Sequence, residues 1–386
     1  MDIVKLKDLT VDGKGTYGVA APAVEYQENL PTYLRITDIL DDGTLNLSEL
    51  KSVKVPDSER YMLRPNDVVF ARTGGSTGRN YFYDGTDGAF VYAGFLIKFS
   101  LDPKKVNPKF IKYFCQSEQY KQWVRSFNTG STRGNINAQT FGNMEIALPG
   151  RKQQDHLVSI LESIDKKIKL NKKINDNLQQ QAAALFSSLY NRSNTEVRYT
   201  DLIQILGGGT PKTGETAYWN GNIAFFTPKD VGTPYTFITE KTITEEGLSH
   251  CNSRLYPVNT VFVTARGTVG KVGLSGVPMA MNQSCYALVG RETHQLLVYF
   301  YTLKVVDRLK HKASGSVFDA ITTRDFESEQ IMKLSDDDGR AFLCVAEPMF
   351  QEILNNSIEN LRLSTLRDFL LPKFMSGEID ISNIQF

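Results

Sequence analysis

Hydrophobic positions along the chain follow two rhythms, and the pair of rhythms occurs twice. Short runs rich in Val, Ile, Phe and Tyr, such as Asp67–Ala71, Ala89–Phe99 and Thr260–Thr264, are broken by Gly, Thr and Ser. That pattern predicts short strands joined by turns. A helical stretch follows each set, near Pro108–Arg125 and His294–Lys312. Beyond each lies a much longer helix. From Asp155 to Tyr190 there is no Pro or Gly, and apolar residues recur four and three apart. Leu157, Ile164, Leu178 and Leu185 share one heptad position, and Leu161, Ile168, Ala182 and Leu189 the other. Such a stripe keeps one helix face against a partner. At ~1.5 Å per residue this helix would span roughly 54 Å, more than one globular core needs. Met349, Leu363 and Leu370, with Ile353 and Phe374, repeat the stripe near the C-terminus, where Pro348 is expected to start or kink the helix.

The repetition extends to the letters. GSTRGNINAQTFGNMEI from Gly130 aligns with GSVFDAITTRDFESEQI from Gly315 at an offset of 185, matching Ile136 with Ile321, Phe141 with Phe326 and Ile146 with Ile331. Asp8-Leu9 resembles Asp201-Leu202, and the run Pro65–Arg72 resembles Pro257–Phe262 with Ala265-Arg266 after it, which pairs Arg72 with Arg266. Asn171 and Asn175 interrupt the first long stripe, and Asn356 and Asn360 interrupt the second at the same offset. A buried amide without a partner is expensive, so each pair predicts the other as its partner. Antiparallel packing with the asparagines level sets Asn171 opposite Asn360 and Asn175 opposite Asn356. It also sets Ile168 opposite Leu363, Leu178 opposite Ile353, Leu161 opposite Leu370 and Ala182 opposite Met349. Ile164 would then face Arg367, which must snorkel outward.

The expected fold is α+β: two repeated mixed α/β domains separated by two long antiparallel helices in a coiled coil, with pseudo-two-fold symmetry. The boundaries are residues 1–150, a helix over 151–192, residues 193–335, a helix over 336–376, and a tail, 377–386, returning toward the first domain. Two equivalent domains on a stiff spacer suit a long ligand with two separated features. DNA, whose groove recurs about every 34 Å, is such a ligand.

Composition adds limits rather than direction. With 386 residues, 41% hydrophobic, the chain can fill about two cores. Its formal net charge of +1 requires any nucleic-acid footprint to be local. The start, MDIVKLKDLT, has no apolar signal core, and no run of about eighteen apolar residues follows, so a cytoplasmic protein without membrane contact is expected. Cys115, Cys251, Cys285 and Cys344 are scattered and predict reduced, mostly buried thiols; no metal site is expected. Gly74–Gly78 matches G-x-S-x-G, but strand and turn rather than helix should follow. Gly267–Lys271 lacks the first glycine and the Ser/Thr of a phosphate loop, and Asn107–Phe110 better fits a helix start with Pro108 in its first turn. His156, His250, His294 and His311 have no ligand spacing. No catalytic constellation emerges.

Donors for phosphates and base edges cluster in the repeated loops. One loop offers Arg72, Thr73, Ser76, Thr77, Arg79 and Asn80, with Arg266, Thr268 and Lys271 as its counterpart. Another offers Ser131, Thr132, Arg133 and Asn135, with Ser314 and Ser316 opposite. Lys166, Lys167, Lys169, Lys172 and Lys173 crowd the middle of the first long helix, on a solvated face or one turned toward DNA or an acidic partner.

The segments Leu148–Leu161, Asp165–Ile168 and Asn171–Asn175, with the ending Leu366–Ile379, resemble the specificity subunits of type I restriction-modification systems. Gly150 and Gln153-Gln154 depart from the family's Pro-rich entry with Glu-Gln. The resemblance implies a non-catalytic subunit in which each domain is a target recognition domain reading one part of a split, asymmetric sequence in double-stranded DNA. The helices would set the spacer and dock two methyltransferase subunits, which bring S-adenosylmethionine and methylate adenine at N6. Two translocase-nuclease subunits would join for restriction. The competing expectation is a coiled-coil scaffold joining two protein-binding domains, which predicts no salt-dependent DNA binding.

Overall fold

The computed structural model describes residues 2–127, 134–312, 320–376 and 378. Ser131, Thr132, Arg133, Ser314, Ser316 and all of the 377–386 tail except Glu378 lie outside the described residues. The rest forms two compact units, one from the described parts of Met1–Lys167 and Arg362–Phe386, the other from Ile168–Leu361.

In the first unit, antiparallel strands run in the order Thr16–Tyr17, Leu96–Ser100, Asp67–Ala71, Asn80–Tyr83. A second sheet has the order Ala23–Glu25, Lys51–Val53, Thr32–Leu34, Phe90–Tyr92, its last pair parallel. The expected run Ala89–Phe99 is thus two strands belonging to different sheets. The expected helix Pro108–Arg125 is likewise two, Pro108–Phe114 and Glu118–Arg125, because Ser117 accepts the Tyr120 N–H and caps a fresh start. Asp2–Lys5 pairs with Glu145–Leu148 in a separate ribbon.

The second unit repeats the plan. Ile203–Gly207, Cys285–Gly290, Val261–Thr264, Val272–Ser275 and Tyr235–Thr236 form one sheet, and Lys241–Ile243, Trp219–Phe226 and Met279–Met281 a second. The ribbon recurs with Thr195–Arg198 on Gln330–Lys333. Its pairing of Thr195 with Lys333 corresponds, at the offset of 185, to Asp2 with Leu148 on the far strand.

The long helices are Arg151–Arg192 and Asp336–Ser376. Their apolar stripes serve domain core and partner helix together. In the first unit Leu157 and Leu161 share one buried core with Phe110, Phe114 and, from the other helix, Leu371 and Phe374. Gln154 ties the helix start to the domain, its Oε1 accepting the Asn107 N–H at 2.8 Å and its Nε2 donating to the Pro149 carbonyl at 2.8 Å. Arg367 does not swing free to solvent beside buried Ile164. It donates to Asp165 at 3.2 Å, and Asp165 also accepts from the Tyr113 hydroxyl at 2.9 Å.

In the second unit Phe186 stacks on Phe300 with 5.1 Å between centroids and meets Phe342 edge-on at 5.5 Å. Here Asn171 Nδ2 donates to Asn360 Oδ1 at 3.0 Å, and Asn356 Nδ2 to Asn175 Oδ1 at 3.0 Å. Rising numbers on one helix meet falling numbers on the other, so the helices are antiparallel. Pro348 neither starts nor ends its helix. It and Cys344, whose carbonyl loses the proline's missing N–H, are both on the exposed side, where water can take that bond. Cys115 and Cys285 are buried, but Cys251 is only half-buried and Cys344 exposed, so burial accounts for two of the four thiols.

Candidate nucleic-acid interface

The repeated loop begins where a central strand leaves its sheet, after Ala71 in one unit and Thr264 in the other. Both ends are set by backbone hydrogen bonds. The Gly78 N–H donates to the Ala71 carbonyl at 2.9 Å, and the Gly270 N–H to the Thr264 carbonyl at 2.9 Å. Both glycines have positive φ, 86° and 75°. A Cβ at Gly78 would meet Val124 Cγ1 at 2.4 Å, and one at Gly270 Val306 Cγ1 at 3.2 Å. Each loop is therefore pinned against the helix that follows the sheet. Tyr120, itself buried, adds a 2.6 Å bond from its hydroxyl to the Gly78 carbonyl.

These bonds correct one alignment. The N–H of Arg72 reaches the Phe95 carbonyl at 3.0 Å, and in the second unit the shorter bond to the corresponding Ser284 carbonyl is made by Ala265 at 2.8 Å, with Arg266 reaching it at 3.2 Å. The Ile136 N–H donates to the Arg72 carbonyl and the Ile321 N–H to the Ala265 carbonyl. Thr73 bridges Asn135, whereas Arg266 bridges Ala320. Arg72 is thus equivalent to Ala265 and Thr73 to Arg266. The first loop holds one more residue, and the two arginines occupy neighbouring, not matching, positions.

Chemistry differs accordingly. The Arg72 guanidinium lies over the Tyr17 ring, 5.1 Å from its centroid, and donates to Asn135 Oδ1 at 3.3 Å. Its buried Nε has no partner among the described residues. Arg79 is held by Asp41 Oδ1 at 2.6 Å and the Ile39 carbonyl at 3.1 Å. Ser76 is buried inside the turn Gly74–Ser76. Thr77 donates to the Gly74 and Gly134 carbonyls, and Asn80 to the Cys115 carbonyl. Ser76, Thr77 and Asn80 therefore build the loop, leaving Arg72, Thr73, exposed Asn135 and the remaining donors of Arg79 to face outward. In the second unit Arg266, Thr268 and Lys271 are all exposed, with Thr268 tied to the Pro228 carbonyl at 3.0 Å. Tyr17 was not singled out in the sequence. Its signal is the run Gly13-Lys14-Gly15-Thr16-Tyr17-Gly18, glycine at every second or third position around a lysine and a tyrosine.

The family model described as "Type I restriction modification DNA specificity domain" matches twice, over residues 3–180 and 191–333. The chain belongs to this family. Both matches include one of the pinned loops. Similar proteins include the HindI specificity subunit of a type I restriction enzyme from Haemophilus influenzae, 22% identical across 90% of this chain and 94% of that one. The MjaIX specificity subunit from Methanocaldococcus jannaschii is 32% identical over 31% of this chain and 29% of its own. Among solved structures, the S subunit of a type I restriction-modification system from M. genitalium aligns with a TM-score of 0.61 at 14% identity, covering 97% of this chain and 95% of that one. That likeness extends the specificity-subunit fold over both units and both long helices. Among the described residues, no helix is long and apolar enough to cross a membrane.

Proposed function

We propose that this specificity subunit reads a split, asymmetric sequence in double-stranded DNA, one part with each mixed unit. The observation that carries the reading is the pinned loop. Two units keep the same strand exits, glycines and backbone bonds, yet present different donors: Arg72 and Arg79 on one, Arg266, Thr268 and Lys271 on the other. A common scaffold with divergent outward donors is what two half-sites of different sequence require. The helices set the length of the spacer and offer exposed apolar side chains, Val345, Leu366 and Phe369, on which two methyltransferase subunits dock. Those subunits bring S-adenosylmethionine and methylate adenine; translocase-nuclease subunits join for restriction. This chain contributes recognition and not chemistry, and works in the cytoplasm.

Methylome sequencing of cells with and without the gene tests this. The expected result is one two-part adenine-methylated motif that disappears on deletion. An unchanged methylome in cells that retain the methyltransferase gene would refute it.

A further inference from the structure

A second polar surface lies beside the Arg72 loop in the first unit. A cleft of about 390 Å³ opens where the Thr16–Tyr17 edge strand crosses toward Arg60 and Tyr61, a size in the range of small-ligand sites. Its cations are Lys14, Arg60 and Lys98, and Asp12 is the carboxylate among its lining residues. Lys98 lies 3.3 Å from buried Asp67 and over the Tyr92 ring, 5.5 Å from its centroid. Asp67 is already satisfied: it accepts from Ser100 Oγ at 2.6 Å and the Arg64 N–H at 2.8 Å. The Tyr92 hydroxyl shares a 2.9 Å hydrogen bond with Thr16 Oγ1, and burial raises its pKa against the opposing pull of that bond, so it stays protonated. Tyr17 belongs to both surfaces, lining the cleft and carrying the Arg72 guanidinium.

The second unit is an internal control for what the fold itself needs. Strand registers place Leu206, Met281, Ala287 and Val289 where the first unit has Thr16, Tyr92, Lys98 and Ser100. Gly18 and Gly208 lock the alignment. An added Cβ would sit 2.2 Å from the Tyr92 carbonyl oxygen in one unit and 2.5 Å from that of Met281 in the other. Met281 and Ala287 are fully buried in an apolar cluster with Leu206 packed on it. The same architecture is therefore built from apolar residues in one unit, while the other buries an ion pair and opens a cleft. Burying a lysine and an aspartate is a poor source of stability compared with apolar packing.

We infer that this cleft is a phosphate subsite found only in the first unit, in which Lys14, Arg60 and Lys98 take a phosphodiester of the same duplex that the Arg72 loop reads. The inference rests on the DNA-recognition reading. It makes the two units unequal: the first adds a sequence-independent anchor to its base contacts, and the second depends on its loop alone.

The test uses the full chain assembled with its methyltransferase subunits, on duplexes with and without the methylated motif. Lys14 and Arg60 are exposed, so Lys14→Ala/Arg60→Ala leaves the core intact. Loss of that phosphate contact reduces the slope of log affinity against log salt by about 0.9 on both duplexes. The variant's affinity loss between 50 and 200 mM salt is then roughly threefold smaller than wild type's. Gln204→Ala, exposed on the edge strand of the second unit opposite Val289, the counterpart of Ser100, should leave the slope unchanged. An unchanged slope in the double variant overturns the subsite while wild-type binding preserves the DNA reading; loss of salt dependence in wild type itself overturns the reading. Phosphorus NMR with inorganic phosphate separates the remaining source. Tight binding abolished by the double variant, with the DNA slope untouched, would make the cleft a free-anion site and defeat the inference.

Discussion

Arg72 holds an unusual position for a surface arginine. Its guanidinium is braced by the Tyr17 ring and Asn135, yet its buried Nε goes unpaired among the described residues. A donor group already ordered loses less entropy when it meets a phosphate or a guanine edge. Arg72→Ala is therefore expected to weaken DNA binding by about 1 kcal/mol or more, roughly fivefold. Thermal unfolding of the variant should stay close to wild type, since the strand ends depend on backbone bonds that alanine keeps. Fluorescence titration with the assembled methyltransferase would check this; undiminished affinity in a folded variant would remove Arg72 from the interface. Arg79, tied to Asp41 and Ile39, has fewer free donors and should respond less.

At the scale of the element, the asparagines inside the helix pair are the feature most open to measurement. Asn356 is buried, donates to Asn175 Oδ1, and Asn175 in turn donates to Ser357 Oγ at 3.2 Å. Asn356→Leu leaves the Asn175 carbonyl without that donor and should cost about 1–3 kcal/mol in urea unfolding. The double variant Asn175→Leu/Asn356→Leu should recover much of this, because apolar packing replaces both amides. Equal losses in the single and double variants would show that the pair does not act as a unit. The amides then contribute specificity of alignment rather than strength. The helix over Pro348 makes a related point: a proline forbids an internal hydrogen bond but not a helix, provided the orphaned carbonyl faces water.

For the molecule as a whole, duplication followed by divergence is the organising fact. The two units share ribbon, sheets and pinned loop, and differ in the residues the loop presents and in the filling behind the edge strand. Replacing residues 72–77 by 265–269 exchanges loops between equivalent strand exits. The expected methylome retains one part of the split motif and changes or loses the other. A change in both parts at once would mean that the loops do not read separate half-sites.

Much of this was determined by the sequence itself. The heptad stripes, the asparagines at a common offset and the repeated blocks around Phe141 and Phe326 marked two like domains and two antiparallel helices, because helix periodicity and repetition are written along the chain. Only the tertiary structure decided which loop residues correspond and what lies behind them. A one-residue insertion is invisible to an alignment that matches arginine with arginine, whereas cross-strand hydrogen bonds expose it. The cleft escaped for a similar reason: Lys14, Arg60 and Lys98 are brought together by the tertiary fold from segments at least 38 residues apart, and no local pattern records that meeting.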